Sequence, residues 1–220
     1  MPAAFPPEFV QDLEDVLSSS RFTTYVRACR GDRQRAVALY GWNTEVAAAL
    51  YTPLQFAEIA VRNGAIAAIV PEFGPDWHRN AGFHTALRER VGRLRPREEV
   101  QRLARRHHTA GAVAAELPFA FWQQLFVSAQ DVRLWDQHLR AAFPGTPAQL
   151  SVAQARQRVH DDVEAIRGLR NRIAHHEPLI ARNIADDLAR ALSLIEWRRP
   201  TVAAWIGSIE GVTALMQRRP

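Results

Sequence analysis

Gly168 to Leu179 reads Gly-Leu-Arg-Asn-Arg-Ile-Ala-His-His-Glu-Pro-Leu. On a helix, Asn171 and His175 lie four residues apart and share a face, and Arg167 sits one turn earlier on the same stripe, so the three polar groups should converge. Arg170 stands about 100° round the helix from Asn171, beside Ile166 and Ile173. Its guanidinium is pressed toward the apolar side and needs a carboxylate, a phosphate or several carbonyls as partner. Pro178 disfavours helical geometry at Glu177 and clashes with the carbonyl of Ala174, so the helix should end near His175 and His176. An arginine, an amide and one or two histidines can cleave a phosphodiester without metal. Histidine takes a proton from a ribose 2′-hydroxyl or gives one to the leaving 5′-oxygen, and arginine neutralises charge growing on the phosphate. The same residues also fit a structural role, with Arg170 and Asn171 capping a neighbouring helix and the histidines on the surface.

Other residues could support that chemistry. Glu58 and Arg62 form an i, i+4 acid-to-base pair flanked by Ala57, Ile59, Ala60 and Val61, so Glu58 is expected to hold Arg170 or Arg62 in position or to form a purely structural pair. Asn63 would then line or back the cleft. Arg172 is expected on the solvent side, for RNA contact or for solubility. From Arg88 to His108 the chain is densely basic, with Arg88, Arg90, Arg93, Arg95, Arg97, Arg102, Arg105 and Arg106. Such a run either contacts RNA phosphates, with steep salt dependence, or is a solvated helix face. No aromatics are interleaved there, so base stacking is not indicated.

The sequence argues against several alternatives. His107-His108 and His175-His176 are adjacent pairs whose side chains diverge by about 100° on a helix, and no His-x3-His, Asp-x-Asp or His-Glu-x-x-His spacing occurs, so no metal is expected. All 28 cations are arginine, which removes the lysine-dependent phosphate loops, and no cofactor is implied. Cys29 is the one cysteine, which excludes an intramolecular disulfide and fits a reducing cytoplasm. It reads as a structural thiol. Met1 to Asp12, with Pro2, Pro6, Pro7, Glu8 and Asp12, fits neither a basic nor an apolar leader region. Val46 to Val70 is broken by Pro53, Glu58, Arg62 and Asn63, so no membrane span is expected.

The elements that must position these residues are helices. Almost every segment shows the helical period, so the chain reads as an all-α protein and one domain over residues 1–220. Helices are expected from Glu8 to about Leu17, from Arg21 to about Gly31, and from an Asp32 N-cap through Leu50. Pro53 should start another, which Pro71 ends. Phe119, Phe121, Trp122, Leu125 and Phe126 form an aromatic stripe expected in the core. Ser151 opens the helix that runs toward Pro178, followed by helices from about Ile180 to Trp197 and Pro200 to Met216. With 47% apolar residues in 220, the chain can bury a core unaided, and a net charge of +5 favours an anionic partner.

Arg170-Asn171-x-x-x-His175 resembles the Arg-Asn-x-x-x-His signature of the HEPN superfamily, and its context resembles the Abi-like (AbiD/AbiF-type) phage-defence proteins within it. Leu39-Tyr40-Gly41-Trp42-Asn43 resembles an early motif of that family, Glu58-x-x-x-Arg62-Asn63 its second helix, and Phe119-Ala120-Phe121-Trp122 its aromatic motif. The likeness spans about Arg35 to Trp197. It implies a HEPN-type helical bundle with additional helices, acting as a metal-independent endoribonuclease in antiphage abortive infection or as a toxin. Arg170, Asn171 and His175 would be catalytic, and Glu58, Arg62, Asn63, Arg167, Arg172 and His176 would support them or bind RNA. The resemblance further implies a homodimer whose two motifs face one cleft, and an antitoxin or defence-system partner. The alternative is a non-catalytic module that binds RNA or such a partner.

Overall fold

The computed structural model describes residues 5–89 and 92–220; Pro2 and Arg90 lie outside them. No strand occurs among the described residues, and helices make up 76% of the chain, so the architecture is all-α. The helices are α1 (Pro7–Leu17), α2 (Ser19–Ala28), α3 (Arg33–Phe73), α4 (Ala81–Ala86), α5 (Pro96–Arg106), α6 (Ala110–Glu116) and α7 (Phe119–Gln123). After them come α8 (Asp136–Ala142), α9 (Val152–Ala174), α10 (Ile184–Arg198), α11 (Pro200–Ile209) and α12 (Val212–Gln217). Short 3-10 turns at Trp77–Arg79 and Ser128–Gln130 and a π turn at Asp131–Trp135 complete the set.

The axis of the molecule is α3, 41 residues long. Asp32 caps it by accepting from the Arg35 amide at 2.9 Å, and Gly74, at φ +84°, receives it by donating to the Val70 carbonyl. The two helices expected on either side of Pro53 are therefore one, and Pro71 lies inside its last turns rather than ending it. An internal proline removes one backbone hydrogen bond and costs about 3 kcal/mol. Burial of Val46, Leu50, Leu54, Ala57, Val61 and Ala65 along one continuous face offsets that cost.

Around α3 pack α10, α2, α8, α12 and α9. Gly64 lets α8 approach closely, since a Cβ there would overlap the Phe143 ring. The aromatic stripe is in the core as expected: Trp122 meets Trp77 edge-on at 6.1 Å, and Phe126 stacks on Trp135 at 4.3 Å. Cys29 is buried, and burial pushes its thiol up, as befits a structural role. Two helix starts differ from expectation. The helix after the motif begins at Ile184, because Asn183 caps it and Arg182 forks onto buried Asp187. The last helix is two, because the Glu210 carboxylate accepts from the Val212 and Thr213 amides and starts α12. Among the described residues no helix is long and apolar enough to cross a membrane.

Candidate functional site

The motif sits on the last turn of α9. A capping box of Ser151 and Gln154 starts this helix, and Ala155, Val159, Val163, Ile166 and Leu169 fix its buried face. It ends where the sequence predicts. His175 is the C-cap, His176 adopts φ +54°, and the His176 and Glu177 amides donate to the carbonyls of Ile173 (3.0 Å) and Arg172 (2.8 Å). This is the Schellman arrangement, with histidine where glycine is usual.

Three side chains hold the segment beyond the helix. Asn43, buried on α3, accepts from the Leu179 amide at 2.7 Å. Arg172 donates to the Pro178 carbonyl at 2.8 Å and pairs with Glu177 at 3.3 Å, so its guanidinium ties down the turn instead of standing free in solvent. Arg21 on α2 donates to the His176 carbonyl. Arg21 was not a candidate from sequence: its partner is a backbone carbonyl 155 residues away, and nothing local in the chain marks it.

Arg170 finds a carboxylate on α3. Its Nε lies 3.3 Å from Glu58 Oε2, while the guanidinium side chain remains 55% exposed. The expected Glu58–Arg62 pair is not formed. Arg62 and exposed Asn63 have no side-chain partner among the described residues. Tyr51, Gln55, Glu58, Arg62, Arg170 and Ile173 line a groove of about 270 Å³.

His175 opens elsewhere. It lies five positions after Arg170, a turn of about 140° round the helix. It lines a second groove of about 270 Å³ with His176, Arg21 and the hydroxyl residues Ser18, Ser20 and Thr24 of the α1–α2 corner. The imidazole of His175 and the amide of Asn171 are exposed and make no side-chain hydrogen bond. Arg167 shares their stripe, yet its guanidinium turns away to Gln123 Oε1 (2.8 Å) and Glu164 (2.9 Å). The expected convergence of Arg167 with Asn171 and His175 therefore does not occur. Hydrogen bonds from the Gln123 amide and from Arg167 hold the Glu164 carboxyl below its ordinary range. Within one chain, the structure thus brings Arg170 to Glu58 and His175 to Arg21, on different sides of α9.

The basic run is largely neutralised. Arg95 pairs with Glu98, Arg102 with Glu99, and both Arg106 and His107 with Glu116. Arg97 donates to the carbonyls of His84 and Leu87. Arg88, Arg93 and Arg105 keep unpaired guanidinium groups among the described residues. No protein-family model, curated protein or solved structure matches the chain.

Proposed function

We propose that this chain is a HEPN-type endoribonuclease, metal-independent and acting in the cytoplasm, in antiphage abortive infection or as a toxin held in check by a partner protein. The observation that supports it most is the state of the motif. In a structural role Arg170 and Asn171 would cap a neighbouring helix, whereas Asn171 stands exposed without a side-chain partner and Arg170 is tethered by one carboxylate with most of its fork open; the exposure of His175 fits either role. Neutral His175 takes the proton of a ribose 2′-hydroxyl, and the resulting alkoxide attacks the adjacent phosphorus. The 5′-oxygen leaves and takes up a proton, giving a cyclic phosphate and a 5′-hydroxyl end. Arg170 neutralises the developing charge on the phosphoryl oxygens, and Asn171 orients the phosphate. Since Arg170 and His175 open on different sides of α9, the arginine and histidine that flank one phosphate come from two copies related by a two-fold axis.

That divergence also favours a second reading, a non-catalytic module that binds RNA or a defence-system protein through the same arginines. Mapping RNA ends after induced expression separates the two. New 5′-hydroxyl ends with wild type and none with folded His175→Ala are expected of the nuclease; full cleavage by His175→Ala would sink it.

A further inference from the structure

Tyr51, Gln55, Glu58 and Arg62 stand at i, i+4, i+7 and i+11 on α3, so they share one face and form the wall of the groove that Arg170 and Ile173 close from α9. The charges in this groove do not balance. Two guanidinium groups border it against the single carboxylate of Glu58, and that carboxylate is paired with Arg170. Arg62 keeps a fork without a partner among the described residues, and a free fork calls for an anion, preferentially phosphate. At the opposite end of the same wall, Tyr51 is 66% exposed. Tyr25 and Tyr40 meet edge-on at 5.0 Å, whereas the Tyr51 ring has no aromatic or cationic partner among the described residues. An open aromatic face beside unpaired cations is the combination that holds nucleotides: the phosphate goes to the cation and the base stacks on the ring. Leu54, Ile59 and Ile173 add apolar surface for the flat base. A volume of about 270 Å³ falls just below the roughly 300 Å³ at which sites for whole small ligands begin, so the groove suits one base and not a dinucleotide cofactor.

We infer that Tyr51 is the stacking platform for one nucleobase and that Arg62 holds the phosphate next to the one on Arg170. Along the axis of α3, Tyr51 stands about 10 Å from Glu58, which carries Arg170, and Arg62 stands about 6 Å beyond Glu58 on the other side. A phosphate on Arg170 therefore has its own nucleotide's base within reach of Tyr51 and the following phosphate within reach of Arg62. The occupant is the residue of the RNA strand that adjoins the cleaved bond. That assignment rests on the ribonuclease reading; the groove's affinity for a nucleotide does not.

The test measures binding to full-length His175→Ala protein, which leaves RNA intact. The probes are a labelled ten-nucleotide single-stranded RNA of mixed sequence and, separately, AMP, GMP, CMP and UMP. Tyr51→Ala should weaken RNA binding about tenfold with its salt dependence unchanged, and Tyr51→Trp should keep full binding, because stacking needs an aromatic face and no charge. Arg62→Ala should weaken RNA binding and flatten its log–log salt slope by about 0.7, one phosphate contact on a single strand. Neither Tyr51 variant should shift the melting temperature, since the side chain is exposed. Tight monophosphate binding that Tyr51→Ala abolishes, with RNA binding unchanged, would overturn the strand assignment in favour of a free nucleotide. A Tyr51→Ala protein that sediments as a monomer where its parent is a dimer would make Tyr51 a contact between copies and overturn the platform. RNA binding indifferent to both Tyr51→Ala and Arg62→Ala refutes the groove. Cleavage by wild type with Tyr51-independent binding would refute the groove alone; Tyr51-dependent binding without cleavage by wild type would refute the nuclease alone.

Discussion

At the scale of the residue, arginine's fork is used structurally in two bidentate pairs. Arg156, 7% exposed, donates from Nε and Nη2 to the two oxygens of Asp131 at 2.8 and 3.3 Å, and Arg182 grips Asp187 in the same bidentate way. Lysine could not reproduce either contact. Arg156→Ala should destabilise the fold by about 3 kcal/mol, read from denaturant unfolding, because it leaves the Asp131 carboxylate without its partner. On the proposed ribonuclease reading, Glu58 positions Arg170 through their 3.3 Å contact, so Glu58→Gln should lower the cleavage rate about tenfold and Glu58→Asp should restore part of it in a single-turnover assay. Tyr25 tests the packing of α2. Burial pushes its hydroxyl up to about 12, so the folded state holds that proton more tightly than the unfolded chain. This contribution is complete below about pH 10 and is lost as pH rises toward 12, with a slope of up to about 1.4 kcal/mol per pH unit. Melting curves at pH 9 and 11 should show Tyr25→Phe losing less stability than wild type across that interval. The motif was legible as residues because Arg170, Asn171 and His175 are close in sequence, and Glu58 was legible because an acid among apolar neighbours needs a cation. Arg21 was not, since it matters through a contact set by distant chain.

At the scale of the element, the end of α9 was predictable because Pro178 acts locally, and the start was predictable from Ser151. The continuity of α3 was not. Proline signals a boundary from its own ring, whereas the burial that overrides it at Pro53 comes from helices far away in sequence. Two glycines separate local from tertiary effects. Gly168 has open space around its Cα, so Gly168→Ala should stabilise α9 by about 0.5–1 kcal/mol through helix propensity. Gly64 faces the Phe143 ring, and Gly64→Ala should cost about 1–3 kcal/mol by overpacking. Thermal unfolding of the two single variants gives shifts of opposite sign.

At the scale of the whole molecule, Arg170 and His175 on different sides of α9 make a specific prediction about pairing. If one arginine and one histidine from different chains flank each phosphate, Arg170→Ala and His175→Ala are each inactive alone. Mixed in equal amounts they should recover about a quarter of wild-type cleavage, because half the dimers are hybrids and each hybrid has one intact site. No recovery on mixing, with hybrids shown to form, would place both groups of one site in one chain.

The long helix α3 joins these scales through its own opening. At Pro53 the ladder of amide hydrogen bonds lacks one rung, so the helix has a built-in seam between the half that carries Trp42 and Asn43 and the half that carries Glu58, Arg62 and Gly64. Deuterium uptake by backbone amides should therefore proceed along α3 in two blocks with separate protection, rather than fraying inward from both ends. The N-terminal block also holds the Leu179 amide through Asn43, and that amide should exchange with it.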